Sequence, residues 1–175
     1  MKTGIKIAIS GKSGCGNTTV SRLVAGKLGL RLINYTFHAM AEEKGMDFKE
    51  LYRRAQEDLS FDRYLDKRQV ELAREGDCVL GSRLAIWLLE DADLRVYLYA
   101  PLEVRARRIQ EREGGDIRKI EEDTQDRDEK DHNRYLKLYN IDNNDYHFAD
   151  LIVDVSNHDQ YETADMIVER ARSID

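Results

Sequence analysis

Short apolar runs alternate along this chain with longer stretches in which apolar residues recur every three or four positions. The short runs cover residues 5–10, 30–33, 78–81, 96–100 and 151–155. Their length and β-branched content predict strands. VYLYA, apolar at almost every position, fits a strand covered on both faces, as in a parallel sheet. Helical spacing predicts helices over 18–28, 36–44, 48–59, 61–75, 102–112, 117–139 and 159–172, with a further helix after the strand at 78–81. Strands and helices that alternate in this way predict an α/β fold with a mainly parallel sheet. There are more helices than strand crossovers require, which implies helical insertions over one end of the sheet.

Composition narrows the picture. A length of 175 residues fits one domain with chain enough for a core. Charged residues make up 35% of the chain, but the signs are mixed and the net charge is −6, which disfavours a nonspecific nucleic-acid binder. No apolar run approaches the length of a membrane span. Cys15 and Cys78 are the two cysteines and lack metal-ligand spacing, so a reducing cytoplasm is expected. His132, His147 and His158 also lack zinc spacing and are read as surface residues. Trp87 is read as core.

The first chemical signal is GKSGCGNTT, Gly11 to Thr19, between the first strand and the first long helix. A phosphate-binding loop follows G-x-x-x-x-G-K-[ST]. Gly11, Gly14 and Gly16 let backbone amides wrap an anion, with Ser13 and Cys15 between them, and the helix start adds partial positive charge. Thr18 is placed to reach a magnesium ion, and Thr19 follows it. Asn17 stands where the motif has lysine. Lys12, earlier in the loop, is the candidate for the missing charge. Cys15 is read as a small filler of the turn.

Two further constellations carry arginines. Gly81-Ser82-Arg83 closes a buried strand, where open α/β sheets bind ligands, and Arg83 suits a phosphate there. Arg105, Arg108 and Arg112 recur at i, i+3 and i+7 and so share one helix face. Gly114-Gly115 follows as a hinge. On the next helix Arg127, Asp131 and Arg134 also share a face, two arginines around an aspartate, which suits a phosphate and a ribose hydroxyl together. Read alone, this last trio also fits a solvated, salt-bridged helix.

The segments ISGKSGCGNTTVSRLVAGKLGL, GDCVLGSRLAIWLLEDADL, APLEVRARRIQEREG and RDEKDHNRYLKLYNID together resemble cytidylate kinases of the short, archaeal-type group, within the P-loop nucleoside monophosphate kinases. The resemblance spans nearly the whole chain. It implies a five-stranded parallel P-loop sheet, with a nucleoside-monophosphate-binding part at about 36–76 and a lid at about 105–140. It implies ATP and Mg²⁺ as cofactors, and CMP or dCMP as acceptor. By the same resemblance Gly11, Gly14, Gly16, Thr18 and Thr19 hold ATP phosphates, Arg83 the acceptor phosphate, and Arg127, Asp131 and Arg134 ribose and phosphates. Arg108 and Arg112 fall at the positions of lid arginines that close over the transferring group. After the second strand the family shows an Asp-x-Phe-Arg segment. This chain has INYTFHAMA, with His38 nearest to that arginine. A monomer without nucleic-acid or membrane partners is expected. Two other readings stay open: a P-loop kinase with another acceptor, and a nucleotide-binding protein with little turnover because of Asn17.

Overall fold

The structure, a computed structural model, describes residues 1–174. Five strands form one parallel sheet: β1 (Lys6–Gly11), β2 (Arg31–Ile33), β3 (Cys78–Gly81), β4 (Leu94–Tyr99) and β5 (Leu151–Asp154), in the order β2-β3-β1-β4-β5. β1 lies at the centre, paired with β3 (Ile7 beside Val79) and with β4 (Ile9 beside Val96). Flanked on both sides and covered on both faces, it is buried from Ile7 to Gly11. The chain order reverses on either side of β1. The loop leaving its carboxyl end therefore opens into a crevice, where such sheets take ligands.

Helices α1 (Asn17–Leu28) and α8 (Gln160–Arg172) cover one face, packing Val20, Val24, Ile167 and Ala171 onto Ile7, Ile9, Val96 and Val153. Helices α4 (Ser60–Ala73) and α5 (Ala85–Leu88) cover the other, against Ala8, Leu80 and Tyr97. Helices α2 (Phe37–Lys44) and α3 (Phe48–Glu57) pack with α4 around Met40 and Leu51, a third cluster outside the sheet. Helices α6 (Leu102–Glu113) and α7 (Ile117–Tyr139) form a hairpin through Gly114 and Gly115, whose φ values of 74° and 106° suit glycine.

The differences from the sequence pattern are local. The helix expected after Arg83 is one turn long, because Leu89 leaves helical geometry and the chain must return to β4. β4 begins at Leu94, before the expected position 96. Arg95 breaks the apolar run, but it sits near the sheet end with its guanidinium on the Glu90 carbonyl. Thr36 is not the first helical residue of α2 but its cap, its side chain accepting from the Ala39 amide at 3.3 Å.

Helices α4 and α7 share several polar contacts. The Tyr139 hydroxyl on α7 donates to the Asp66 carboxylate on α4 at 2.6 Å. Burial pushes the Asp66 carboxyl up to about 6, although the tyrosine hydrogen bond pulls it down. Its folded pKa thus lies above its unfolded value, near 3.9. Between about pH 4 and pH 6 the folded state holds more protons than the unfolded one, so stability falls as pH rises through that window and then levels off. Asp66→Asn keeps an acceptor for Tyr139 and removes the titration. In thermal melts from pH 4 to 8 the variant is expected to lose less stability across the window, and to exceed wild type at pH 7 by on the order of 2 kcal/mol. Parallel pH profiles for the two proteins would sink this assignment.

Candidate active site

The loop from Gly11 to Gly16 wraps the crevice at the end of β1. Gly14 and Gly16 have φ values of 86° and 81°, in the left-handed region. A Cβ on Gly14 would lie 2.9 Å from both Cβ and the carbonyl oxygen of Arg105, so the loop rests directly on α6. Among the described residues no side chain caps α1 at Gly16. Its first amides and positive end therefore face the crevice, as an anion requires. Above them lies a cavity of about 240 Å³, lined by loop residues together with Thr18, Gly81, Lys12, Arg83 and Arg112, with no carboxylate among its lining residues. The donor set fits a polyphosphate. It also fits magnesium in one respect only. No described cluster of three or more His, Cys, Asp and Glu could hold a metal, so the ion would rest on phosphate oxygens, water and the Thr18 hydroxyl.

Asn17 lines this cavity, but its polar atoms turn away from it. Its Nδ2 donates to the Ile9 carbonyl at 3.2 Å, and its Oδ1 accepts from the buried Ser21 hydroxyl at 3.0 Å. A Cβ on Gly81 would strike that same Ser21 hydroxyl at 2.2 Å. Asn17 therefore fastens the start of α1 to β1. Lys12 lines the cavity too, with its Nζ donating to Asn144 Oδ1 at 2.8 Å in the loop after α7. Cys15 is buried, and burial pushes its thiol up to about 11, with Arg105 and Arg108 opposing, so it fills space as a neutral thiol.

The three arginines of α6 diverge. Arg105 is only 5% exposed; its guanidinium pairs with Asp128 on α7 at 2.7 Å and donates to the Ser13 carbonyl at 3.2 Å and the Ala100 carbonyl at 3.1 Å. Arg108 is bound to the Val155 and His158 carbonyls, beside a cavity of about 530 Å³ between α6 and the start of α8. Arg112 lines that cavity and the phosphate cavity, and pairs with Glu113 at 2.7 Å. Arg108 thus lines a cavity that also borders Gly14, Cys15 and Gly16 of the loop, and it is not among the lining residues of the cavity of about 240 Å³.

On the far side lies a cavity of about 560 Å³ between α3, α4 and α7. Arg83, Arg127, Asp131 and Arg134 all line it. The Asp131 carboxylate accepts from Arg83 at 2.7 Å and from Arg134 at 2.5 Å, and Arg134 also reaches Asp62 at 3.6 Å. Arg127 leans back to the Ser13 hydroxyl at 3.4 Å. Arg83 lines both this cavity and the one over the loop. His38 is elsewhere: it is exposed and stacked on Phe48, with ring centroids 3.6 Å apart. Its neighbour Phe37 lines the cavity instead, because Met40 and Ala41 fix which face of α2 turns inward. Sequence reasoning missed Asp62, Phe37 and Tyr52 as lining residues. It placed Arg105 only in a helix stripe, not under the loop.

A model of the cytidylate kinase-like family matches residues 6–157. The chain belongs to that family. It is 50% identical over 167 residues to the cytidylate kinase 2 of Borreliella afzelii (strain PKo), covering 93% of this chain and 94% of that protein. It is 40% identical over 157 residues to the cytidylate kinase of Pyrococcus horikoshii, covering 89% and 82%. The fold also resembles the shikimate kinase of Acinetobacter baumannii solved with shikimate, with a TM-score of 0.64 over 97% of this chain and 94% of that one, at 19% identity. No helix among the described residues is long and apolar enough to cross a membrane.

The geometry of Asn17 yields a test. Asn17→Ala leaves the buried Ser21 hydroxyl without its acceptor, which costs about 1–3 kcal/mol. Thermal melts should show that loss, while calorimetric affinity for Mg·ATP changes little. A large loss of affinity at unchanged stability would mean that the side chain serves the nucleotide directly.

Proposed function

We propose that this protein transfers the γ-phosphoryl group of ATP to CMP or dCMP, giving CDP or dCDP. The observation that carries the reading is the shared wall: Arg83 stands where an acid-free, cation-lined cavity over the loop meets a larger cavity of mixed charge. Two phosphate-bearing ligands would meet at that arginine. Family membership supplies the acceptor class, since the similar proteins are cytidylate kinases.

Phosphoryl transfer needs alignment and charge neutralisation more than covalent work by the protein. The loop amides and the α1 terminus hold the donor phosphates. The Thr18 hydroxyl is the side chain that would hold a magnesium ion, which would supply charge neutralisation at the phosphates. Arg83 and Arg134 grip the acceptor phosphate side, and Asp131 accepts from a ribose hydroxyl once its arginines turn to phosphate. Arg127 and Arg112 flank the loop from α7 and α6. These two helices act as the lid, whose closure keeps water from the transferring group. Lys12 leaves the neutral amide of Asn144 and supplies the charge that Asn17 does not. Every residue named in this reading comes from a single chain, and we read the acting unit as a monomer.

A coupled assay of ADP release with ATP, Mg²⁺ and each of CMP, dCMP, UMP and AMP tests the reading. CMP and dCMP should turn over best, and a higher kcat/KM for AMP, or no turnover with any acceptor, would overturn it. Arg83→Ala and Arg134→Ala should each lower acceptor kcat/KM by roughly 10- to 150-fold, the loss of one charge-assisted hydrogen bond. Lys12→Ala should lower kcat more than it raises the KM for ATP. An unchanged kcat would leave the arginines alone to supply the charge.

A further inference from the structure

Order along the acceptor cavity is set by one chain of ion pairs. Arg83, next to the loop, binds one oxygen of Asp131 at 2.7 Å. Arg134 binds the other at 2.5 Å and reaches onward to Asp62 at 3.6 Å. The proposed function puts the acceptor phosphate at Arg83 and Arg134 and a ribose hydroxyl at Asp131. Asp62 follows Arg134 in this chain of ion pairs and lines the same cavity, away from the loop residues, and on that reading the base lies beside it. Phe37 and Tyr52 line the same cavity, their rings edge-to-face at 6.4 Å, and offer a base an aromatic wall.

The acids of this cavity are not equivalent. Asp123 and Asp126 are exposed on α7, and both oxygens of Asp131 are taken by arginines. The Asp62 side chain is 18% exposed. It accepts no hydrogen bond within 3.5 Å from another described side chain, only the looser contact with Arg134. A sheltered carboxylate with spare acceptor capacity selects a ligand that brings a donor and rejects one that brings an acceptor, since unmatched buried polar groups carry the larger penalty. The pyrimidine bases differ at that atom: cytosine has an amino group on C4 and uracil a carbonyl oxygen.

We propose that Asp62 is the residue that selects cytosine over uracil, by accepting a hydrogen bond from the 4-amino group of the acceptor. The inference rests on the proposed phosphoryl transfer to a pyrimidine nucleotide and names the group that reads its base. Asp62 has no part in moving the phosphoryl group, so its effect belongs in acceptor KM and affinity, not in kcat.

The test compares wild type with Asp62→Asn, using CMP and UMP as acceptors in the ADP-release assay and as ligands in calorimetry without ATP. Asparagine can present either its oxygen or its amide, so it suits both bases. The ratio of kcat/KM for CMP over UMP should fall roughly 10-fold or more in Asp62→Asn, mainly through KM, with the affinity ratio falling in parallel. Equal losses for both nucleotides would show that Asp62 only props Arg134, and an unchanged ratio that it does not read the base. Either result overturns the inference while leaving the transfer reaction standing. A wild-type protein that phosphorylates and binds neither nucleotide would overturn the proposed function, and the inference with it. If Asp62→Asn fails to fold, Asp62→Glu keeps the charge and shifts its position, and an unchanged ratio there would count against the assignment.

Discussion

Arg105 is the buried cation on which the rest of the site is assembled. Its guanidinium joins three separate pieces of chain: the Ser13 carbonyl in the loop, the Ala100 carbonyl at the end of β4, and Asp128 on α7. Taking a guanidinium and a carboxylate out of water is costly, and only a full set of hydrogen bonds offsets it. Here the set is nearly complete. The loop can adopt its left-handed turns because Gly14 lies flat against the backbone of Arg105, where any side chain would collide. One ion pair thus fixes the distance between the phosphate loop and the long helix that carries the acceptor residues.

Charge is then divided between the two sides of Arg83. Over the loop, Lys12, Arg83 and Arg112 face a nest of amides without a carboxylate. In the acceptor cavity, aspartates and arginines alternate. The first arrangement suits a ligand that is all phosphate. The second suits one with a phosphate at one end and hydroxyl and amino donors along its length. This division, more than any single residue, is what the proposed function uses to tell a donor side from an acceptor side.

Strands, loop and most helix limits were legible in the sequence because each depends on local patterning: apolar runs, glycine spacing and helical periodicity. The trio Arg127, Asp131 and Arg134 was legible as a shared helix face. The partner of Arg105 was not, since Asp128 lies across the Gly114-Gly115 hinge and nothing in the stripe on α6 marks one arginine as buried. His38 stands nearest the arginine that the resemblance implies after β2, yet its neighbour Phe37 lines the cavity. The orientation of α2 depends on how Met40 packs against Leu51, a tertiary fact. Asn17 looked like a lost lysine. Its bonds to Ile9 and Ser21 show a residue employed in the fold, which no spacing rule contains.

The pairing of Asp131 with both Arg83 and Arg134 means that the acceptor side does not wait with bare cations. A phosphate entering there must displace a carboxylate, and the exchange is favourable only if the displaced carboxylate finds a new donor. A nucleotide brings one, in its sugar hydroxyls. Free phosphate or sulfate does not, and would leave Asp131 stranded beside it. On the proposed reading, the resting ion pairs would work as a filter against the small anions of the surrounding solution and admit a phosphate that arrives attached to a sugar.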